Sequence, residues 1–127
     1  MSLRTPLGKV LGSGSAGEGT THWWVQRVTA IALIPLTLWF AASILRKPLQ
    51  SHEAMSGWLG HPWVAVFTIL LAITLAWHSW LGVQVVVEDY VHGKGAKTVL
   101  LLLSTFVHFA AAVAAVFAVV TLAVART

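Results

Sequence analysis

Long apolar runs broken by short polar stretches set the pattern of this chain. Three runs stand out, at about 28–45, 62–87 and 98–123. Crossing roughly 30 Å of hydrocarbon takes about 20 helical residues. The second and third runs meet that length with room to tilt. The first meets it once its flanks add a turn. The pattern predicts an all-α membrane protein of three transmembrane helices. Pro35 falls inside the first, where neighbouring helices can satisfy the carbonyl it frees. Pro62 suits the first turn of the second, where its missing N–H costs nothing. The connectors at 46–61 and 88–97 read as short polar loops. Trp23, Trp24, Trp58 and Trp63 lie near span ends, the usual place for interfacial tryptophan.

The segment 1–21 is different in kind. Arg4 and Lys9 resemble the charged start of a secretory signal, but no apolar core follows them. Gly12 to Gly19 are glycine, serine, alanine and one glutamate, a flexible polar composition. We expect a Gly/Ser-rich arm over 1–21 and a single anchor domain over 22–127.

Composition narrows the chemistry. Charged residues make up 9% of the 127 and hydrophobic ones 57%, where a soluble domain carries about a quarter charged. There is no cysteine, which excludes disulfides, iron–sulfur ligation and thiolate metal sites. Histidine is left as the side chain for a metal or haem. The net charge of +4 is spread along the chain and gives no nucleic-acid footprint. Arg4, Lys9, Arg27, Lys94 and Lys97 fall on one side of the predicted topology, and Arg46, Lys47 and Arg126 on the other. That bias favours a cytoplasmic N-terminus.

His78 falls about 14 Å from the cytoplasmic end of its span, at 1.5 Å per residue. Ionisable residues at that depth are rare and usually functional. A neutral imidazole can ligate haem iron. Gly82, one turn on, would let a flat macrocycle approach the backbone, and the same face continues through Val85 to Asp89. The plain alternative is a histidine hydrogen-bonded to a neighbouring helix. His108 lies at similar depth on the next span, so a bis-histidine site within one chain is open, as is a packing role. Arg27 starts the first span. It can snorkel as a topology anchor or pair with a carboxylate or propionate. Asp89 and Tyr90 follow the second span. A phenol there can donate to a quinone carbonyl, or simply anchor the interface. Trp77 and Trp80 flank His78 and read as packing residues, with packing around a cofactor as the alternative. His22, His52, His61 and His92 fall in loops or at interfaces and read as surface histidines.

The segment from His78 to Tyr90, HSWLGVQVVVEDY, resembles the H-x-x-x-G-x-x-x-x-x-x-D-Y signature of the small D-type membrane anchors of succinate dehydrogenase, respiratory complex II. The segment from His22 to Leu33 is similar to the opening of that family's first helix, an arginine before an Ala/Thr-rich apolar run. The resemblance covers about 20–125. It implies half of a helical bundle, completed by a second, C-type anchor. It implies that His78 is one axial ligand of haem b, the other histidine coming from that partner, and that Arg27 lies by a haem propionate. Tyr90 would hydrogen-bond ubiquinone, with Asp89 in support. An iron–sulfur subunit, a flavoprotein subunit and the bacterial inner membrane are the implied surroundings. No ligand role is implied for His108, no function is carried onto His22, and the Gly/Ser arm is left unexplained.

Overall fold

A computed structural model of the chain describes residues 17–46 and 51–125. Four helices follow in order: α1 Gly17–Arg46, α2 His52–Leu59, α3 Pro62–Tyr90 and α4 Lys94–Val124. Among the described residues there is no strand. Three of the helices are long and apolar enough to cross a membrane. The 30 residues of α1 rise about 45 Å, so each long helix overshoots the hydrocarbon layer by several turns.

α1 and α4 outrun their apolar runs at both ends, whereas α3 starts at Pro62 as expected and extends only beyond its C-terminal end. α1 begins at Gly17, inside the stretch expected to be an arm, and residues 1–16 lie outside the described residues. Asp89 and Tyr90, expected to follow the second span, instead form its last turn, and the connector shrinks to 91–93. Hydropathy marks where a helix leaves the apolar layer. Backbone hydrogen bonding carries it further, and here the Val91 N–H still donates to the Val87 carbonyl at 3.1 Å. Lys97 then fastens the turn by donating from Nζ to the Glu88 carbonyl at 2.8 Å, a cation at the negative end of α3. α1 runs unbroken through Pro35.

The 46–61 connector contains a helix that the apolar pattern does not reveal. The Ser51 side chain accepts from the Ala54 N–H and caps α2. Trp58, expected at an interface, is instead 6% exposed. It stacks on Trp39 of α1, with centroids 6.2 Å apart, and lies 5.9 Å from Phe40. Leu59 and Val119 of α4 complete this small core.

α3 is the central helix. α1 packs against it on one side and α4 on another, while the backbones of α1 and α4 do not come together. The layer is therefore open, and most large apolar side chains stay uncovered: Ile31, Phe106, Phe109 and Phe117 are all about 70% exposed. A soluble protein does not leave so much apolar surface bare. These faces suit lipid and other apolar helices.

Candidate functional site in the cleft between α1 and α3

α1 and α3 run antiparallel, and their polar residues meet in register. On α1, His22, Gln26 and Thr29 recur at helical spacing and form one stripe. On α3, His78, Gly82 and Val85 form another. Thr29 Oγ1 lies 2.9 Å from His78 Nδ1. One turn away, a Cβ built on Gly82 would meet only Gln26 Nε2, at 3.9 Å. The α1 neighbour therefore leaves room for a methyl at Gly82, and packing within this chain does not demand glycine there.

An open cleft of about 460 Å³ lies along these stripes. Its lining includes His22, Gln26, Arg27, His78 and Val85. Arg27 stands at its edge with Cζ 5.1 Å from the Trp23 ring centroid. That cation–π contact leaves the guanidinium's outward N–H groups free for an anion. Two polar atoms here are buried without a partner: His22 Nε2 and Gln26 Oε1. Buried polar atoms are nearly always hydrogen-bonded, and an exception marks a missing neighbour. His22, expected at the surface, is thus a half-buried lining residue of this cleft.

His78 makes its hydrogen bond through Nδ1, and Nε2 makes none among the described residues. An imidazole held in this way can donate Nε2 to a metal. Among the described residues no three His, Cys, Asp or Glu cluster as a metal site. A group that brings its own equatorial donors, as a porphyrin does, needs only an axial nitrogen from the protein.

His108 is arranged otherwise. Its Nδ1 lies 2.8 Å from the Ser104 carbonyl oxygen, which can only accept, so Nδ1 carries the proton. Nε2 then accepts from Ser79 Oγ at 3.1 Å. Both nitrogens are engaged, Nδ1 within α4 and Nε2 across to α3, and His108 lines a different, apolar cleft with Trp77, Trp80 and Phe109. The structure does not bring His108 and His78 together as a pair of ligands.

Asp89 and Tyr90 lie at the far end of α3, about 17 Å along the axis from His78. Both are exposed, Tyr90 at 77%. Close by, Gln84 donates from Nε2 to Glu88 Oε1 at 2.9 Å, and Gln84 Oε1 is buried without a partner.

Fold and cleft together define a multi-pass helical membrane protein with an unfinished polar cleft between two of its spans. The chain belongs to the family of succinate dehydrogenase/fumarate reductase transmembrane subunits, whose model matches residues 1–124. It is 34% identical over 118 residues to the succinate dehydrogenase hydrophobic membrane anchor subunit of Paracoccus denitrificans, covering 93% of this chain and 91% of that one. It is 31% identical over 100 residues to the subunit of that name from Rickettsia bellii, covering 79% and 80%. With the subunit from Rickettsia conorii it shares 32% over 106 residues, covering 82% and 84%. No solved structure matches it at a significant level.

Proposed function

We propose that this chain is an anchor and quinone-site subunit of a succinate:ubiquinone oxidoreductase, and that it supplies half of a haem b site. The observation that carries the haem reading is the α1–α3 cleft. One imidazole has its Nδ1 tied and its Nε2 free, a guanidinium stands at the edge, and two buried polar atoms lack partners. The donor set fits the group: His78 would hold its iron through Nε2, Arg27 would pair with one of its carboxylates, and Gly82 would leave room for it beside the backbone. The open side of the cleft fits a second, C-type anchor, which would bring the other histidine and complete the bundle. When bound, haem supplies a one-electron centre inside the membrane.

Tyr90 and Asp89 serve the quinone end. The phenol donates a hydrogen bond to a ubiquinone carbonyl, and the carboxylate beside it orients that phenol or passes on protons. The flavin and iron–sulfur clusters needed to oxidise succinate belong to a flavoprotein and an iron–sulfur subunit, because this chain has no cysteine to ligate clusters and its described residues form only helices, with no dinucleotide fold. Docking of those subunits at the Tyr90 end puts the N-terminus on the cytoplasmic face of the bacterial inner membrane. A fumarate reductase is the second reading, since the family spans both. The relatives named above are all succinate dehydrogenase anchors, which favours succinate oxidation.

The test is a reduced-minus-oxidised spectrum of the complex purified through this chain. A b-type haem is expected in the wild type and its loss in His78→Ala. A complex with no b-type haem, or with the same haem after His78→Ala, overturns the haem assignment. Copurification without a flavoprotein and an iron–sulfur protein overturns the anchor role.

A further inference from the structure

We propose that Thr29 is a positioning residue for His78. It holds the imidazole as the Nδ1–H tautomer and so presents Nε2 as the bare donor. This inference rests on the haem-ligand reading of His78 given above.

Proton counting at one oxygen carries the argument. A threonine hydroxyl has one proton to give and two lone pairs to receive with. Thr29 Oγ1 lies 2.8 Å from the Val25 carbonyl oxygen and 3.1 Å from that of Gln26. Carbonyl oxygens only accept, so the hydroxyl proton points back into the preceding turn, as helical threonines allow. What remains at Oγ1 is acceptor capacity. The 2.9 Å contact with His78 therefore runs from Nδ1–H to Oγ1. A neutral imidazole has one N–H. With that proton on Nδ1, the lone pair sits on Nε2.

Metal-bound histidines commonly give their other N–H to an acceptor, which fixes the tautomer and ring rotation and raises ligand basicity. Thr29 fills that place from a neighbouring helix. Its own donation to Val25 polarises the hydroxyl and strengthens it as an acceptor. The bond also locks α1 to α3 at the level of the cleft, so ring orientation and helix register are set together. His108 shows the contrast: its Nδ1 proton goes to the Ser104 carbonyl within its own helix, and Ser79 takes up Nε2.

The experiment uses the whole complex, purified with Thr29→Val, which keeps the shape and removes the acceptor, and with Thr29→Ser, which keeps the hydroxyl. In Thr29→Val we expect haem retention to weaken roughly tenfold. We also expect the haem midpoint potential to rise, because the ligand becomes less basic, and the low-spin ferric resonance to move. Thr29→Ser returns all three to wild-type values. A Thr29→Val complex with wild-type haem occupancy, potential and resonance overturns the proposal. Equal changes in Val and Ser overturn it too, since the methyl group would then be responsible. If Thr29→Val does not assemble, Thr29→Ala against Thr29→Ser gives the same decision through the same readouts. His78→Ala run alongside separates the two layers. Unaltered haem in His78→Ala defeats the ligand reading and this inference with it. Haem lost in His78→Ala but unchanged in Thr29→Val removes Thr29 alone.

Discussion

His78 and His108 stand at nearly the same level of adjacent antiparallel helices, since His108 reaches the residue next to His78, Ser79. Both are half-buried. Their settings differ in what is left over. Around His108, Ser79 and Ser104 use both ring nitrogens, and Trp80 Nε1 donates to Thr105 at 3.0 Å close by. Around His78, one nitrogen is used, and the cleft beside it holds two unpartnered polar atoms. A polar group in hydrocarbon costs several kcal/mol when it lacks a partner. At His108 the α3–α4 face meets that demand from within the chain. The α1–α3 face does not, and so it calls for something from outside. Depth in the membrane, which made both histidines look alike, distinguishes them less well than a count of their hydrogen bonds.

The sharpest way to break this contrast is to exchange the two deletions. His78→Ala is expected to abolish the b-type spectrum of the purified complex. His108→Ala is expected to leave the spectrum in place and to lower thermal stability by about 1 kcal/mol, the scale of a hydrogen bond between membrane helices. Haem lost equally from both variants would show that the two faces are not independent.

A smaller effect is expected at the end of α3. Tyr90→Phe removes one hydrogen bond worth roughly 1 kcal/mol, so ubiquinone reduction should fall about fivefold at that cost. Succinate oxidation with a soluble acceptor should persist. Parallel loss of both activities would point to an assembly defect. Gly82→Ala tests the cleft directly. The α1 side leaves room for the added methyl, and alanine suits a helix better than glycine by about 1 kcal/mol. The variant should therefore insert normally. Lower haem occupancy in an otherwise intact complex is the expected result, because the methyl would stand where the flat face packs. Unchanged occupancy would show that nothing lies against Gly82.

These residues also show what a linear reading reaches. The three spans were legible because membrane crossing asks mainly for length and apolarity, and those survive any rotation of the helices. The helix α2 was not, since its eight residues lack an apolar run. Ser51 before His52 and Glu53 was the available cap signal. Depth singles out His78 as a candidate. Its partner Thr29 was not legible, because the contact depends on how α1 rotates against α3. The recurrence of His22, Gln26 and Thr29 on one apolar helix was the hint, and reading His22 as a surface residue obscured it. For His108, spacing leaves the tautomer open, and only the rotamer that brings Nδ1 to the Ser104 carbonyl reveals which nitrogen is protonated.

The smallest expected effect concerns the face that completes itself. Trp80 sits two residues beyond His78 but turns to α4, where its indole N–H donates to Thr105 Oγ1. The Thr105 hydroxyl already gives its proton to the Leu101 carbonyl at 2.8 Å, so the indole is the donor across the interface. Trp80→Phe keeps an aromatic ring there and deletes that donor. The loss should be about 0.6 kcal/mol, the average for such bonds between membrane helices. It should appear as a slight fall in the melting temperature of the detergent-solubilised complex. The haem spectrum should not move, because the bond belongs to the α3–α4 face. A spectral shift in Trp80→Phe would mean that α3 transmits a change on one face to the imidazole on the other, and the two settings would then have to be treated as one.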